Sequence, residues 1–310
     1  MKNFTVGVDI GGTNVKLGLV SRSGKVVARS NFATRSYINN RQRFIDALVH
    51  EIQALLSAHG LHTKDVCGIG IGLPGLLDPV KGIVIFLPNI PNWENVPLKK
   101  ILEKRLGIKT FLGNDVKLVT LGEWKFGAGR GYKNLVCITL GTGVGSGLVL
   151  NNELYMGEGF VAGEIGHMPL NEEGPACRCG GYACFQAYAG NRRLLARAGK
   201  ILHKKNTSFL ELRQLARRGD KRVLAFWKEA AAHIGNNLVG VVNLLNPPLI
   251  IIGGGVSNNH EFLFNTIRKV IKRRAMSVHS AMVKIVRTKL GDDAGIIGAQ
   301  VLVSTQIRKK

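Results

Sequence analysis

Residues 4–33 carry three short apolar runs, FTVGVDI, VKLGLV and KVVARSNFA, separated by Gly11-Gly12 and Ser23-Gly24. Runs of this length bounded by glycine turns predict three strands. Over residues 41–59 the period changes: Phe44, Ile45, Leu48, Ile52, Leu55 and Leu56 make one helix face. Val66–Leu73 is continuously apolar up to Pro74-Gly75, the mark of a strand buried on both faces. A strand at Ile83–Phe86, the proline-broken loop LPNIPNW, a helix at Leu98–Leu106 and a strand at Thr110–Leu112 follow. Asn114-Asp115 then opens a helix to about Lys125.

The opening pattern returns midway. Val136–Leu150, VCITLGTGVGSGLVL, is an apolar run, a glycine turn and a second apolar run. Gly157–Ala183 has no period and is rich in Gly, Cys and Pro. Helices are predicted over 185–204, 208–217 and 220–245, the last ended by Pro247-Pro248. A strand at Leu249–Ile252 leads into Gly253-Gly254-Gly255, a helix to about Ala275, a strand at Val283–Val286 and a final helix from Asp293. Strands and helices in this order predict two α/β lobes with a ligand cleft between them. The expected division is 1–120, rejoined by the C-terminal helix 292–310, and 121–291, with a cysteine loop at 164–186.

The chain has 310 residues, of which 45% are hydrophobic and 20% charged, the balance of a globular protein with substantial cores. No apolar run is long enough to span a bilayer, so no membrane partner is expected. MKNFTVGVDI enters a strand without a signal peptide's apolar segment, which leads us to expect a cytoplasmic location. The net charge of +23 raises nucleic acid as a partner. The basic residues are nevertheless scattered, and the densest cluster, Arg268, Lys269, Lys272, Arg273 and Arg274, lies on one predicted helix without a recognition motif. A generally basic surface that attracts anionic substrates is the better reading, and nucleic-acid binding is not expected.

Three glycine turns carry candidate phosphate chemistry. In Asp9-Ile-Gly11-Gly12-Thr13-Asn14-Val15-Lys16, backbone N–H groups and the Thr13 hydroxyl can face phosphate oxygens, and Asp9 can hold Mg²⁺. An ordinary hairpin turn explains the same residues equally well. Gly141-Thr142-Gly143-Val144-Gly145 is followed by a strand rather than a helix, unlike a dinucleotide fingerprint. The third turn, at Gly254 and Gly255, sits before a helix, where an anion or ribose fits. Asn114-Asp115 reads as a helix cap, as a general base at Asp115, or as both. His167, Cys177, Cys179 and Cys184 form a Cys₃His set in one glycine-rich loop, which suits structural Zn²⁺ better than disulfides. That loop has too few apolar residues for a core of its own, so its order is expected to come from the metal.

DIGGTNVK, GLPG, the PN of LPNIPNW, ND, LGTGVGSG, GEIGH, the CxC…C loop and IIGGGVS occur in one order along nearly the whole chain. In this the sequence resembles the ROK family of sugar kinases. The resemblance implies the two-lobed actin-like ATPase (ribonuclease H-like) fold with ATP and a hexose as substrates. It implies that Asp115 is the catalytic base and that Gly75, Asn89, Asn114, Glu164 and His167 contact the sugar. By the same resemblance, His167 also reaches the zinc, Gly12, Thr13, Lys16, Thr142 and Gly143 lie on the phosphates, and Gly254 and Gly255 face the nucleoside. Glucokinase is the expected activity. N-acetylmannosamine, N-acetylglucosamine and fructose kinases fit the same motifs, and homodimers or homotetramers are the expected assembly.

Two positions depart from the family pattern. The loop usually ends GCxE, with the glutamate on sugar hydroxyls, where this chain has Ala183-Cys184-Phe185-Gln186. A charge-assisted bond is worth about 1.5–3 kcal/mol, so Gln186 implies weaker or altered sugar contact. It also raises a non-catalytic sugar-binding protein as an alternative. The family's sugar-sensing repressors carry a DNA-binding domain ahead of the first phosphate motif. Here the first strand starts by Phe4, and a repressor is not expected.

Overall fold

A computed structural model describes residues 3–37, 39–88 and 90–308. In chain order the first elements are β1 (Phe4–Ile10), β2 (Asn14–Ser21), β3 (Val26–Ala33), α1 (Arg41–Ser57), β4 (Val66–Leu73), β5 (Leu76–Asp78), β6 (Ile83–Phe86), α2 (Leu98–Leu106), β7 (Thr110–Asn114) and α3 (Asp115–Phe126). Then come β8 (Leu135–Leu140), β9 (Val144–Leu150), β10 (Glu153–Tyr155), α4 (Gln186–Ala189), α5 (Asn191–Leu202), α6 (Phe209–Arg217) and α7 (Lys221–Leu245). The chain closes with β11 (Leu249–Gly253), α8 (His260–Arg274), α9 (Ser277–Met282), β12 (Lys284–Arg287) and α10 (Ala294–Arg308).

These elements fall into two units. One holds the described residues up to Gly131, Met156–Ala162 and the chain from Lys289 onward; the other holds Tyr132–Tyr155 and Gly163–Thr288. The first boundary thus falls after Gly131 rather than at residue 120, because α3 packs along its length against α10.

Each unit is built on a five-stranded sheet of the same design. The first has order β3-β2-β1-β4-β7 and the second β10-β9-β8-β11-β12. In both, an antiparallel meander is followed by two strands parallel to the first. The two glycine hairpins, β1–β2 and β8–β9, are therefore counterparts.

In the first unit the apolar stripe of α1 buries Phe44, Ile45, Leu48, Val49, Ile52, Leu55 and Leu56 in the core, where Phe44 meets Trp93 edge-on at 5.3 Å. Asn40 caps the helix by accepting from the Arg43 N–H at 3.0 Å. α10 packs on β1, β4 and α3. Its approach to α3 needs glycine on both sides: a Cβ on Gly298 would overlap the Leu118 carbonyl, and one on Gly122 the Ala294 carbonyl. The second core gathers Phe185, Phe226 and Trp227 with the apolar faces of α7 and α8 and the strands β8 and β11.

Two differences from the sequence pattern bear on function. The helix predicted over 185–204 is broken at Gly190, which is extended (φ −71, ψ 143) and separates α4 from α5. The cysteine loop also has apolar anchors at its two ends, since Ile165 and Phe185 are buried in the second core. The basic cluster on α8 is partly structural: Arg268 donates to the Ile285 carbonyl and Arg274 to Asn236 Oδ1.

Candidate active site

In the first unit the parallel strands β1, β4 and β7 end at one edge of the sheet, the edge where α/β proteins bind ligands. Asp9 stands near the end of β1, in register with Lys16 of β2 and Gly72 of β4. Gly72 keeps the space between two acidic residues open. A Cβ there would lie 3.7 Å from Asp9 Oδ1 and 3.4 Å from the Asp115 Cα. Asn114 ends β7 opposite Leu73 and caps α3, its Oδ1 accepting from the N–H groups of Val116 (3.1 Å) and Lys117 (3.3 Å). Asp115 is half-buried, and its Oδ1 accepts from the Val116 N–H at 2.8 Å. Cap and acid therefore occupy adjacent residues: Asn114 caps α3, and the Asp115 carboxylate is itself held by a first-turn N–H of the same helix. Gly75 takes φ +95 in the turn between β4 and β5. Asn89 lies outside the described residues.

The β1–β2 turn leaves Gly12 and Thr13 exposed and Gly11 half-buried. It is held from behind by Thr34, a fully buried residue whose hydroxyl donates to the Gly11 carbonyl (2.7 Å) and whose N–H donates to the Thr13 carbonyl (2.9 Å). Lys16 Nζ lies 3.6 Å from Asp292 Oδ1. Burial raises the Asp9 carboxyl above its ordinary value; Lys16 opposes that rise and Asp292 adds to it. A divalent cation beside Asp9 would offset this burial cost, and the oxygen donors suit Mg²⁺.

In the second unit β8 and β11 run parallel, with Gly253 in register with Thr139. This brings the turn at Thr142 and Gly143 and the turn at Gly254 and Gly255 to one edge. Gly254 has φ +82, and its backbone lies so close to Leu140 that a Cβ would overlap the Leu140 carbonyl. Asn191, the first residue of α5, joins the two turns. Its N–H donates to the Gly141 carbonyl at 2.8 Å, and a Cβ on Gly255 would lie 3.4 Å from its Nδ2. Among the described residues the buried Asn191 Oδ1 has no hydrogen-bond partner.

The cysteine loop packs on the β8–β9 hairpin. Ser146 of β9 donates its hydroxyl to the Gly163 carbonyl, and Gly166 approaches Val144 so closely that a Cβ would overlap the Val144 carbonyl. The ligand atoms of His167, Cys177, Cys179 and Cys184 all lie within 4.8 Å of one another. Cys179 Sγ and Cys184 Sγ are 3.7 Å apart, and Cys177 Sγ is 3.9 Å from His167 Nδ1. A tetrahedral zinc with Zn–S bonds of about 2.3 Å needs ligand separations of roughly 3.8 Å, so the donor set fits the ion in type and spacing. His167 turns its other nitrogen outward, with Nε2 at 4.0 Å from Glu164 Oε2.

Burial alone would raise the Cys177 thiol. The Cys179 N–H, the Gln186 amide and the neighbouring thiols outweigh it and bring Cys177 down to about 6. Burial, then the other two cysteines, push Cys184 up to about 12. Ala183 takes φ +53, so the turn before Cys184 has a left-handed backbone despite the side chain. Gln186 donates from Nε2 to Cys177 Sγ at 3.0 Å, and its Oε1 accepts from the Val144 N–H at 3.5 Å.

Sequence reasoning missed Thr34, Asn191 and Asp292. Thr34 and Asn191 act through backbone groups far away in sequence. Asp292 had a weak signal, a glycine-flanked acidic pair ahead of a helix.

The ROK family model matches residues 5–306. A glucokinase from Thermotoga maritima is 34% identical over 97% of this chain and 98% of that protein. A xylose repressor from Bacillus subtilis is 29% identical over 97% of this chain and 77% of the repressor. Among solved structures, a ROK family glucokinase from Streptomyces griseus, in complex with glucose and AMPPNP, superposes with a TM-score of 0.82. It is 32% identical, over 97% of this chain and 99% of that one. The chain belongs to the ROK family, and its two α/β units have the actin-like ATPase fold.

Proposed function

We propose that this chain is an ATP-dependent hexose kinase that transfers the γ-phosphoryl group to the 6-hydroxyl of glucose. The observation that carries the reading is the placement of Asp115 at the strand-end edge of the first sheet, beside Gly72 and near Asp9. Relatives named glucokinase at 30% identity or more support glucose as the acceptor.

Asp115 takes the proton of the attacking hydroxyl as its oxygen bonds to phosphorus and ADP departs. The Val116 N–H holds one carboxylate oxygen and so orients the group. Asn114, Gly75, Glu164 and His167 bind the sugar. By the family resemblance, Gly12, Thr13, Lys16, Thr142 and Gly143 bind the phosphates, with Gly254 and Gly255 against the nucleoside. Asp9 would hold Mg²⁺, which neutralises phosphate charge. His167 Nδ1 and the three cysteines would hold Zn²⁺, which keeps the loop bearing Glu164 and His167 in shape. A homodimer or homotetramer in a cytoplasmic setting completes the reading; no helix among the described residues is long and apolar enough to cross a membrane.

A coupled ADP-release assay across glucose, N-acetylmannosamine, N-acetylglucosamine, mannose, fructose and allose tests it. Glucose should give the highest kcat/KM. Preference for an N-acetylhexosamine or fructose replaces the substrate, and sugar binding without turnover on any sugar replaces the kinase with a sensor. The repressor relatives give that last reading its weight.

A further inference from the structure

One end of the second unit leaves large apolar side chains uncovered. Leu244, near the end of α7, is 80% exposed, and Met276, Val278 and Met282, at the start of α9 and along it, are 60%, 66% and 56% exposed. Asn243 Oδ1 accepts the Met276 N–H at 3.0 Å, which brings the ends of α7 and α9 together. Side chains this exposed stand out from the surface instead of lining a groove. Cations surround them. Lys269, Lys272 and Arg273 are exposed on α8, which leads directly into α9, and Lys284 opens β12 just after Met282. Arg268, Arg274 and Arg287 are occupied by the Ile285 carbonyl, Asn236 Oδ1 and Asn258 Oδ1. Among the described residues, the side chains of Lys269, Lys272, Arg273 and Lys284 have no hydrogen-bond or ion-pair partner. The chain has no acidic residue between Glu229 and Glu261, nor between Glu261 and Asp292.

We propose that this end of the second unit docks on an anionic lipid surface. Leu244, Met276, Val278 and Met282 enter the headgroup layer, and Lys269, Lys272, Arg273 and Lys284 meet its phosphates. Exposed apolar clusters rimmed by charge mark interaction surfaces, and the charge here selects the partner. A second copy of this chain would set the same cations against one another across a two-fold contact. A nucleic acid answers the cations but gives four aliphatic side chains nothing to bury against, and no aromatic ring lies among them to stack on bases. An anionic bilayer answers both features. It is fluid enough to receive protruding side chains, and it attracts each lysine or arginine held near its surface. The contact is peripheral, since no segment here is long enough to cross the bilayer. None of these residues is among those proposed to bind sugar, nucleotide or metal, so the docking and the kinase reading stand or fall separately.

The test is co-sedimentation of the full chain with vesicles of phosphatidylcholine alone and of phosphatidylcholine mixed equally with phosphatidylglycerol. The wild type should bind the mixed vesicles, leave the neutral ones, and bind less as salt is raised. Lys272→Gln combined with Arg273→Gln should lower the partition coefficient about 25-fold, at roughly five-fold per charge. Leu244→Ser combined with Met282→Ser should lower it about 10-fold or more. Lys64→Gln combined with Lys104→Gln removes the same charge from exposed positions of the first unit and should bind like the wild type. All three pairs should keep the wild-type thermal midpoint, since the residues changed are exposed. Absence of binding to the mixed vesicles overturns the proposal. An equal loss in the Lys64 and Lys104 pair also overturns it, because adsorption then follows net charge alone. So does undiminished binding in the Leu244 and Met282 pair, because nothing then enters the headgroup layer. A wild-type dimer that the Leu244 and Met282 pair splits gives this face to a second copy instead. Binding of duplex DNA that the Lys272 and Arg273 pair abolishes, without vesicle binding, gives it to nucleic acid.

Discussion

Glu123 Oε1 accepts the backbone N–H of Lys289 at 2.9 Å, across 166 positions of sequence. The same fully buried carboxylate accepts from Leu290 at 2.8 Å and from Ala128 at 2.9 Å. One side chain on α3 thus holds the segment following that helix and the segment by which the chain returns to the first unit. Glu123→Ala leaves these N–H groups without their acceptor, at about 1–3 kcal/mol for each that stays buried. A loss of roughly 3 kcal/mol or more is expected, read as a lower urea midpoint. Glu123→Gln, which keeps one acceptor oxygen, should lose less.

Asp115→Asn keeps the size of the side chain and removes its basicity. Turnover should fall by about 10²–10⁴-fold, the usual worth of a general base. Sugar affinity by calorimetry should stay close to wild type. Near-normal turnover would take the base role away from Asp115.

Ala183 takes a backbone conformation that favours glycine. The left-handed region costs an L-residue about 1–2 kcal/mol, and glycine gives back about 0.5–1 kcal/mol in chain entropy. Ala183→Gly should therefore raise stability by roughly 0.5–1 kcal/mol, seen as a higher thermal midpoint. An unchanged or lower midpoint would mean that the alanine methyl, fully buried here, contributes more than the backbone loses.

Asp220 caps α7, accepting from the N–H groups of Arg222 (2.9 Å) and Val223 (3.3 Å). The Arg222 guanidinium bonded to its carboxylate lowers its pKa; partial burial opposes this, and the two N–H groups add to the lowering. A carboxyl depressed in the folded state contributes stability above its unfolded pKa and loses it as pH falls through the folded value. Asp220→Ala should therefore melt below wild type at pH 7, with the gap closing in acid once Asp220 is protonated. A gap that persists at low pH would assign the effect to packing instead of charge.

The strand–turn–strand rhythm was legible because both sheets are covered, so their strands read as unbroken apolar runs between glycines. The repeat of VDIGGT at TLGTGV likewise marks two hairpins that prove to be topological counterparts. The break at Gly190 was not legible, since apolar spacing runs smoothly through it. What breaks the helix is the Gly141 carbonyl, which takes the Asn191 N–H. The short elements β10 and α9 lack a pattern long enough to register. Within the site, acids and cysteines announce themselves by type, whereas Thr34, Asn191 and Glu123 work on backbone groups brought near only by folding. The cysteine loop shows its ligand types in the sequence but not its packing. Its own apolar residues are few, but Ile165 and Phe185 are lent to the neighbouring core.

The position of α10 also bears on how the chain is made. Ile296, Ile297, Ala299, Val301 and Val303, which cover the sheet of the first unit, are buried residues of the last described helix. During synthesis, β1 and β4 leave the ribosome long before their cover, and the whole of the second unit emerges in between. The unit that begins the chain is consequently the later of the two to finish folding, reversing the usual order in which N-terminal domains are completed first.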